Sequence, residues 1–306
     1  MSIPPIKGVL SPVVTPFDSN LRPDIDRFVR HCRWLEANGV GLAVFGTNSE
    51  ANSLSVEERM MLLGALIDSG IDSARMMPGT GCCSLTDSVQ LSRHAVKLGC
   101  GGVLMLPPFY YKQVSDEGLY RYFSEVVERV GDTRLRIYLY HIPPVSQIPI
   151  STALIERLLK KYPQTVAGIK DSSGDWNNTK AVLEAFASAG FGVFAGSETF
   201  LLANMRAGGA GCISATANVN PGPIHRLYAT WERDDSDAQQ ANLNAVRAAF
   251  HNFPMIPGLK QTIAHWSKDR TWSKVRPPLV ELTDAQKAKL LGDLDALGFD
   301  MPGLVR

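Results

Sequence analysis

A lysine, a tyrosine and a small polar turn are the residues of this sequence whose types and spacing could do chemistry. The run Val166-Ala167-Gly168-Ile169-Lys170-Asp171 puts a single lysine at the end of an apolar stretch with strand character. A lysine at a partly desolvated strand end loses its proton more readily and becomes a nucleophile toward a ketone. The same position suits a lysine whose ammonium reaches water or pairs with Asp171. In Tyr138-Leu139-Tyr140-His141-Ile142-Pro143-Pro144, alternation puts Tyr138 and Tyr140 on one face, with Tyr140 nearer the carboxyl end. A phenol there can carry a proton to and from a carbinolamine oxygen while an imine forms; it can equally be a core-filling ring. His141 faces the other way and reads as a structural hydrogen-bonding residue. The turn Phe45-Gly46-Thr47-Asn48-Ser49-Glu50 combines a glycine with small polar residues that can aim amides and hydroxyls at a carboxylate. An ordinary strand-to-helix turn uses the same residue types.

These residues need strands that end at a common rim. Short β-rich runs recur at 8–15, 41–46, 74–80, 101–106, 136–142, 166–170, 192–196 and 211–214, with amphipathic helical stretches between them. Ile25, Phe28, Val29, Cys32 and Leu35 share a helical face that Gly39 closes, Ser55 with Glu58 and Ser84 with Asp87 have capping-box spacing, and Ser151 can start a helix that Pro163 stops. Eight strands alternating with helices predict an α/β fold, a (β/α)8 TIM barrel, over 1–220. A doubly wound open sheet is its structural rival, because spacing alone does not prove closure. Residues 221–306 read as the last barrel helix and a C-terminal helical appendage, with helices over 227–231, 238–250, 259–266 and 283–297.

Composition narrows the function classes. The chain has 306 residues, is 45% hydrophobic and carries a formal net charge of +1. It contains no basic tract of the kind that binds nucleic acid, so the expected partner is a small molecule. The first residues carry two prolines, Pro4 and Pro5, and do not resemble a signal peptide, and no stretch is long and apolar enough for a membrane span. Five cysteines without CxxC spacing argue against a disulfide framework or a zinc site and fit a reducing cytoplasm.

In order and spacing the motifs resemble the dihydrodipicolinate synthase and N-acetylneuraminate lyase family of class I aldolases. The matching segments are Val14-Thr15-Pro16-Phe17, Gly46-Thr47-Asn48-Ser49-Glu50, Pro107-Pro108-Phe109-Tyr110-Tyr111 followed by Glu117-Gly118-Leu119-Tyr120, and Tyr140-His141-Ile142-Pro143. They continue through Gly168-Ile169-Lys170-Asp171-Ser172-Ser173-Gly174-Asp175, Gly196-Ser197, Ile213-Ser214-Ala215-Thr216-Ala217-Asn218 and Arg276-Pro277-Pro278-Leu279. The resemblance implies a lyase in which Lys170 forms an imine with a 2-oxo acid such as pyruvate and Tyr140 shuttles protons. It implies that Thr47 relays protons between Tyr140 and Tyr111, the latter supplied by an adjacent subunit of a homo-oligomer, a tetramer or dimer. The amides of Thr47 and Asn48 would hold the pyruvate carboxylate, and Gly196 and Ile213 would line the pocket. No metal or organic cofactor is implied, because the protonated imine is itself the electron sink.

Departures from the family pattern bear on the substrate. Val145 stands where authentic dihydrodipicolinate synthases carry an arginine that grips the carboxylate of aspartate semialdehyde, and valine offers no charge-assisted contact. Asn48 replaces a hydroxyl residue and Ser49 a glycine. The expectation is an aldolase or dehydratase acting on pyruvate or a 2-keto-3-deoxy acid, with Val145, Ser146 and Gln147 shaping the distal pocket. The alternatives are an authentic 4-hydroxy-tetrahydrodipicolinate synthase of lysine biosynthesis and a catalytically silent keto-acid-binding barrel.

Overall fold

The computed structural model describes residues 5–304. Met1–Pro4, where the signal-peptide reading begins, lie outside the described residues, as do Val305 and Arg306 at the end of the expected appendage. The chain separates into two compact units, residues 5–8 with 72–213 and residues 9–71 with 214–304. Seven strands are present among the described residues: β1 (Gly8–Ser11), β2 (Gly41–Leu42), β3 (Val103–Met105), β4 (Ile137–His141), β5 (Val166–Asp171), β6 (Gly192–Ala195) and β7 (Gly211–Ile213).

In the first unit five parallel strands run in the order β3-β4-β5-β6-β7, and Gly8 at the start of β1 donates to Ala210 O at 2.8 Å. Buried on both faces, such strands read as continuous apolar runs, and those of β3 and β4 are buried throughout. Helices Leu85–Lys97, Asp116–Val130, Thr152–Lys161 and Trp176–Phe186 connect them, and Ser84, Ser115, Ser151 and Asp175 cap their first turns. Ser84 acts as a simple cap accepting from Asp87 N, without the reciprocal bond that its spacing suggests. The register of β4 against β5 shifts between Ile137 and Tyr138, which sets Tyr138 opposite Gly168 and Tyr140 opposite Lys170.

The expected strand over 74–80 is not a strand. Ser73–Arg75 form a 3-10 turn, and only a bridge between Gly79 and Leu104 remains, with Leu104 N donating to Pro78 O and Thr80 N to Leu104 O. Pro78 has no amide proton to extend a ladder. Proline also shortens the first expected strand, which stops at Ser11 before Pro12.

In the second unit β1 pairs in parallel with β2, and helices Ile25–Ala37 and Val56–Asp68 follow. Ser55 and Glu58 form the expected reciprocal capping box. Phe28, Cys32 and Leu35 of the expected helical face are buried, whereas Ile25 is exposed and Val29 half-buried. After β7 the described residues contain no further strand, and the long helices are Pro221–Ala229, Ser236–Ala249, Met255–Trp266 and Asp284–Ala296. Among the described residues no helix is long and apolar enough to cross a membrane, and the five cysteines are unbonded.

Candidate active site

Lys170 lies near the carboxyl end of β5 and is only 2% exposed. Its register partner on β4 is Tyr140. Lys170 Nζ donates to Tyr140 Oη at 3.2 Å and sits 4.2 Å over that ring. Burial removes the alternative in which the ammonium reaches water. Pairing with Asp171 is removed by alternation, which turns the next side chain to the other face of the strand. There Asp171 Oδ1 accepts from Ser173 N at 2.8 Å, and Oδ2 accepts from Asn178 Nδ2 at 2.8 Å and Thr179 Oγ1 at 2.7 Å. Among the described residues Lys170 forms no ion pair.

Neighbours of Tyr140 on the same strand are held in the scaffold. Tyr138 is fully buried, its Oη accepts from Ile6 N at 2.9 Å, and burial raises its phenol pKa. Its ring fits because positions 102 and 168 are glycines: a Cβ there would lie 2.6 and 2.7 Å from ring carbons. Tyr138 is therefore the core-filling ring of this strand. His141 is structural, as its alternation predicts: Nδ1 accepts from Ile150 N at 3.0 Å, and burial lowers its pKa, with the nearby Asp171 opposing.

Gly196 follows β6, where its amide donates to Asp171 O at 2.7 Å. A Cβ would stand 2.1 Å from Ser172 Oγ and 2.6 Å from Asp171 O, so only glycine allows this approach of the strand ends. Ile213 ends β7 and is fully buried.

Tyr111 and Val145 occupy the surface of the first unit. Tyr111 is 72% exposed and packs edge-on against Tyr110, with ring centroids 5.3 Å apart. No hydrogen bond or ring contact joins it to Tyr140 or Lys170 of its own chain among the described residues. Lys112 Nζ ties this loop to the short helix Pro143–Ser146 by donating to Phe109 O and, at 3.0 Å, to Ser146 O. Val145, 61% exposed, belongs to that helix. The expectation that Ser146 contributes a hydroxyl to the pocket is corrected. Its side chain is buried, donating to Ile142 O at 3.0 Å and accepting from Ile148 N at 3.2 Å, and so closes its own turn.

Thr47 and Asn48 belong to the second unit. With Ser49 they form one 3-10 turn and are half-buried. The turn uses the amides of Ser49 and Glu50, which donate to Gly46 O and Thr47 O, and leaves those of Thr47 and Asn48 outside its own ladder. Left-handed residues bracket it, Phe45 at φ 62° and Glu50 at φ 56°. Each such non-glycine residue costs on the order of 1–2 kcal/mol and persists where surrounding contacts over-determine it.

Two groups were not read from the sequence. The hydrogen bonds of Asn178 and Thr179 to Asp171 had no local signal, because they come from the following helix. Lys260 did carry one: it is a lone lysine in the otherwise apolar or small run Pro257-Gly258-Leu259-Lys260, with Thr262, Ile263 and Ala264 after it, and all these residues are buried. Its partner is Glu50, the last residue of the polar turn.

A buried lysine–phenol pair thus lies at the carboxyl ends of adjacent parallel strands in an α/β fold. The family model described as "Dihydrodipicolinate synthetase family" matches residues 5–297. An uncharacterized DapA-like lyase of Chloroflexus aurantiacus is 33% identical over 93% of this chain and 94% of its own length. The crystal structure of dihydrodipicolinate synthase from Agrobacterium tumefaciens superposes with a TM-score of 0.88 at 32% identity, covering 95% of this chain and 99% of that one. YagE from Escherichia coli, a dihydrodipicolinic acid synthase family protein in complex with pyruvate, gives 0.88 at 26% identity, covering 96% and 99%. The chain belongs to the dihydrodipicolinate synthetase family and is a lyase of that family.

Proposed function

We propose that this chain is a Schiff-base-forming lyase acting on pyruvate or a 2-keto-3-deoxy acid, with Lys170 as the nucleophile. The observation that carries the reading is the buried Lys170 Nζ, 3.2 Å from Tyr140 Oη. The amine attacks the keto carbon to form a carbinolamine. Tyr140 hands a proton to the departing hydroxyl, water leaves, and a protonated imine remains. Loss of a proton or of a carbon fragment from the adjacent carbon gives an enamine, whose electrons the iminium accepts. Thr47 and Asn48 hold the carboxylate through their amides, Thr47 also relays protons, and Gly196 and Ile213 line the pocket. Tyr111 completes the relay from a neighbouring subunit, a role its exposure in the single chain supports. The reading includes a homo-oligomer, a cytoplasmic setting, and a (β/α)8 barrel over 1–220 followed by a helical appendage.

Val145 favours an acceptor or donor without the aspartate-semialdehyde carboxylate, since neither it nor the closed Ser146 hydroxyl supplies a charged contact. A second reading, condensation of pyruvate with aspartate semialdehyde, draws support from the likeness to the Agrobacterium enzyme. Assaying pyruvate with a panel of aldehydes, against 2-keto-3-deoxy acids with pyruvate as the detected product, separates the two. Turnover with aspartate semialdehyde equal to that with sugar-derived keto acids would overturn the reading of Val145. Absence of a borohydride-trapped pyruvate adduct would favour a silent keto-acid-binding barrel.

A further inference from the structure

The polar turn that carries Thr47 and Asn48 hangs on a charged framework that the proposed chemistry leaves unused. The Glu50 side chain is fully buried: Oε1 accepts from Lys260 Nζ at 2.6 Å, and Oε2 accepts from Arg276 N at 3.0 Å. Lys260 comes from the helix Met255–Trp266, is 0% exposed and lies 4.4 Å over the Phe17 ring. Arg276 packs on the same ring at 4.7 Å, donates to Ser53 O at 2.6 Å and grips both oxygens of Glu58. Thr15 Oγ1 donates to Ser49 O at 2.7 Å, and Arg59 to Ala51 O at 2.6 Å. All these residues lie in the second unit.

A buried ion pair is a poor source of net stability, because desolvating both charges offsets most of their attraction. Here it sits where strain and electrostatics both need it. Glu50 occupies a left-handed backbone conformation unfavourable for its residue type, and its carboxylate is two residues from the Asn48 amide. Uncompensated, that negative charge would repel an incoming carboxylate, while loss of its tether would release the turn.

We infer that the Glu50–Lys260 ion pair positions residues 46–50 for binding the carboxylate of a 2-oxo acid. This rests on the role proposed for the Thr47 and Asn48 amides. Glu50 and Lys260 are positioning residues: they act through the turn and touch neither the keto carbon nor its imine. Disturbing them therefore changes how much 2-oxo acid is needed, not the fraction of Lys170 captured at saturation.

The test compares the full-length wild type with Lys260→Met, which leaves a buried carboxylate unpaired, and with Glu50→Gln/Lys260→Met, which removes both charges and guards against misfolding. Pyruvate is titrated in the presence of borohydride and the adduct on Lys170 quantified, while hydrogen exchange is followed at the amides of 46–53. Both variants should need at least tenfold more pyruvate for half-maximal adduct, reach the wild-type yield at saturation, and exchange these amides at least tenfold faster. A folded double variant with the wild-type half-saturating concentration overturns the inference, because neutralising Glu50 would then be all that Lys260 does. If the wild type forms no pyruvate adduct, the proposed function fails on its own account. Exchange then decides the anchor: acceleration confined to 46–53 upholds it, and unchanged exchange refutes it.

Discussion

Each of the two units buries one lysine, in opposite surroundings. Lys260 is held by a carboxylate at 2.6 Å, and burial lowers its pKa to about 8 against the pull of Glu50. Lys170 is 2% exposed and has a phenol at 3.2 Å in place of a carboxylate, while the neighbouring Asp171 is turned away and fully engaged by Ser173, Asn178 and Thr179. Burial therefore does not by itself mark a reactive lysine. Lys260 is paired with a carboxylate that compensates its buried charge, and its removal is a structural event. Under the proposed function Lys170 is beside the phenol that carries protons, and its removal is a chemical event.

The largest effect that would sharpen this contrast is on turnover. Lys170→Met should lower kcat by on the order of 10⁴-fold or more while keeping the melting temperature at or above that of the wild type, since no ion pair is broken. Retained turnover, or a collapse in stability, would erase the distinction. Tyr140→Phe should slow imine formation by about 10²–10³-fold, because only the phenolic proton carrier is lost. The fold should survive, and stopped-flow with pyruvate measures the step. Tyr138→Phe, two residues earlier, should leave that step untouched and lose only its bond to Ile6 N.

For Lys260 the expected loss is in folding. Lys260→Met alone should destabilise the chain by about 3–5 kcal/mol in urea unfolding, because Glu50 is left charged and buried. Glu50→Gln/Lys260→Met should recover most of it. Equal stability of the single variant and the wild type would mean that the pair is not a pair energetically.

A third buried base gives the smallest and most specific signal. His31 is buried between Trp34 and Trp272, and burial lowers its pKa from 6.5 to about 4. The unfolded chain takes up this proton before the folded one. Its contribution is complete above pH 6.5 and is lost as pH falls from 6.5 toward 4, by about 3 kcal/mol. His31→Leu should flatten that part of the stability profile, and an unchanged slope would show that His31 is not its source.

Much of this was legible in residue order. The strand-end positions of Lys170 and Tyr140, the caps at Ser55 and Ser151 and the helices after 221 all follow from local pattern, because each is set by periodicity or by a neighbour within four residues. What was not legible depends on residues far apart in the chain. Glu50 and Lys260 are separated by 210 positions. The opposite fates of Tyr138 and Tyr140 depend on glycines at 102 and 168 opening space for one ring. The expected strand over 74–80 is lost around Pro78, whose missing amide cannot extend the ladder that its apolar neighbours suggest. Ser146, expected to face the substrate, hydrogen bonds within its own turn, a use that residue type alone does not reveal.

Trapping with borohydride in the presence of pyruvate, followed by peptide mapping, tests the central assignment most directly. The account predicts one pyruvate-dependent adduct on Lys170 and none on Lys260, although both amines are buried. An adduct on any other lysine, or none on the folded protein, would contradict it.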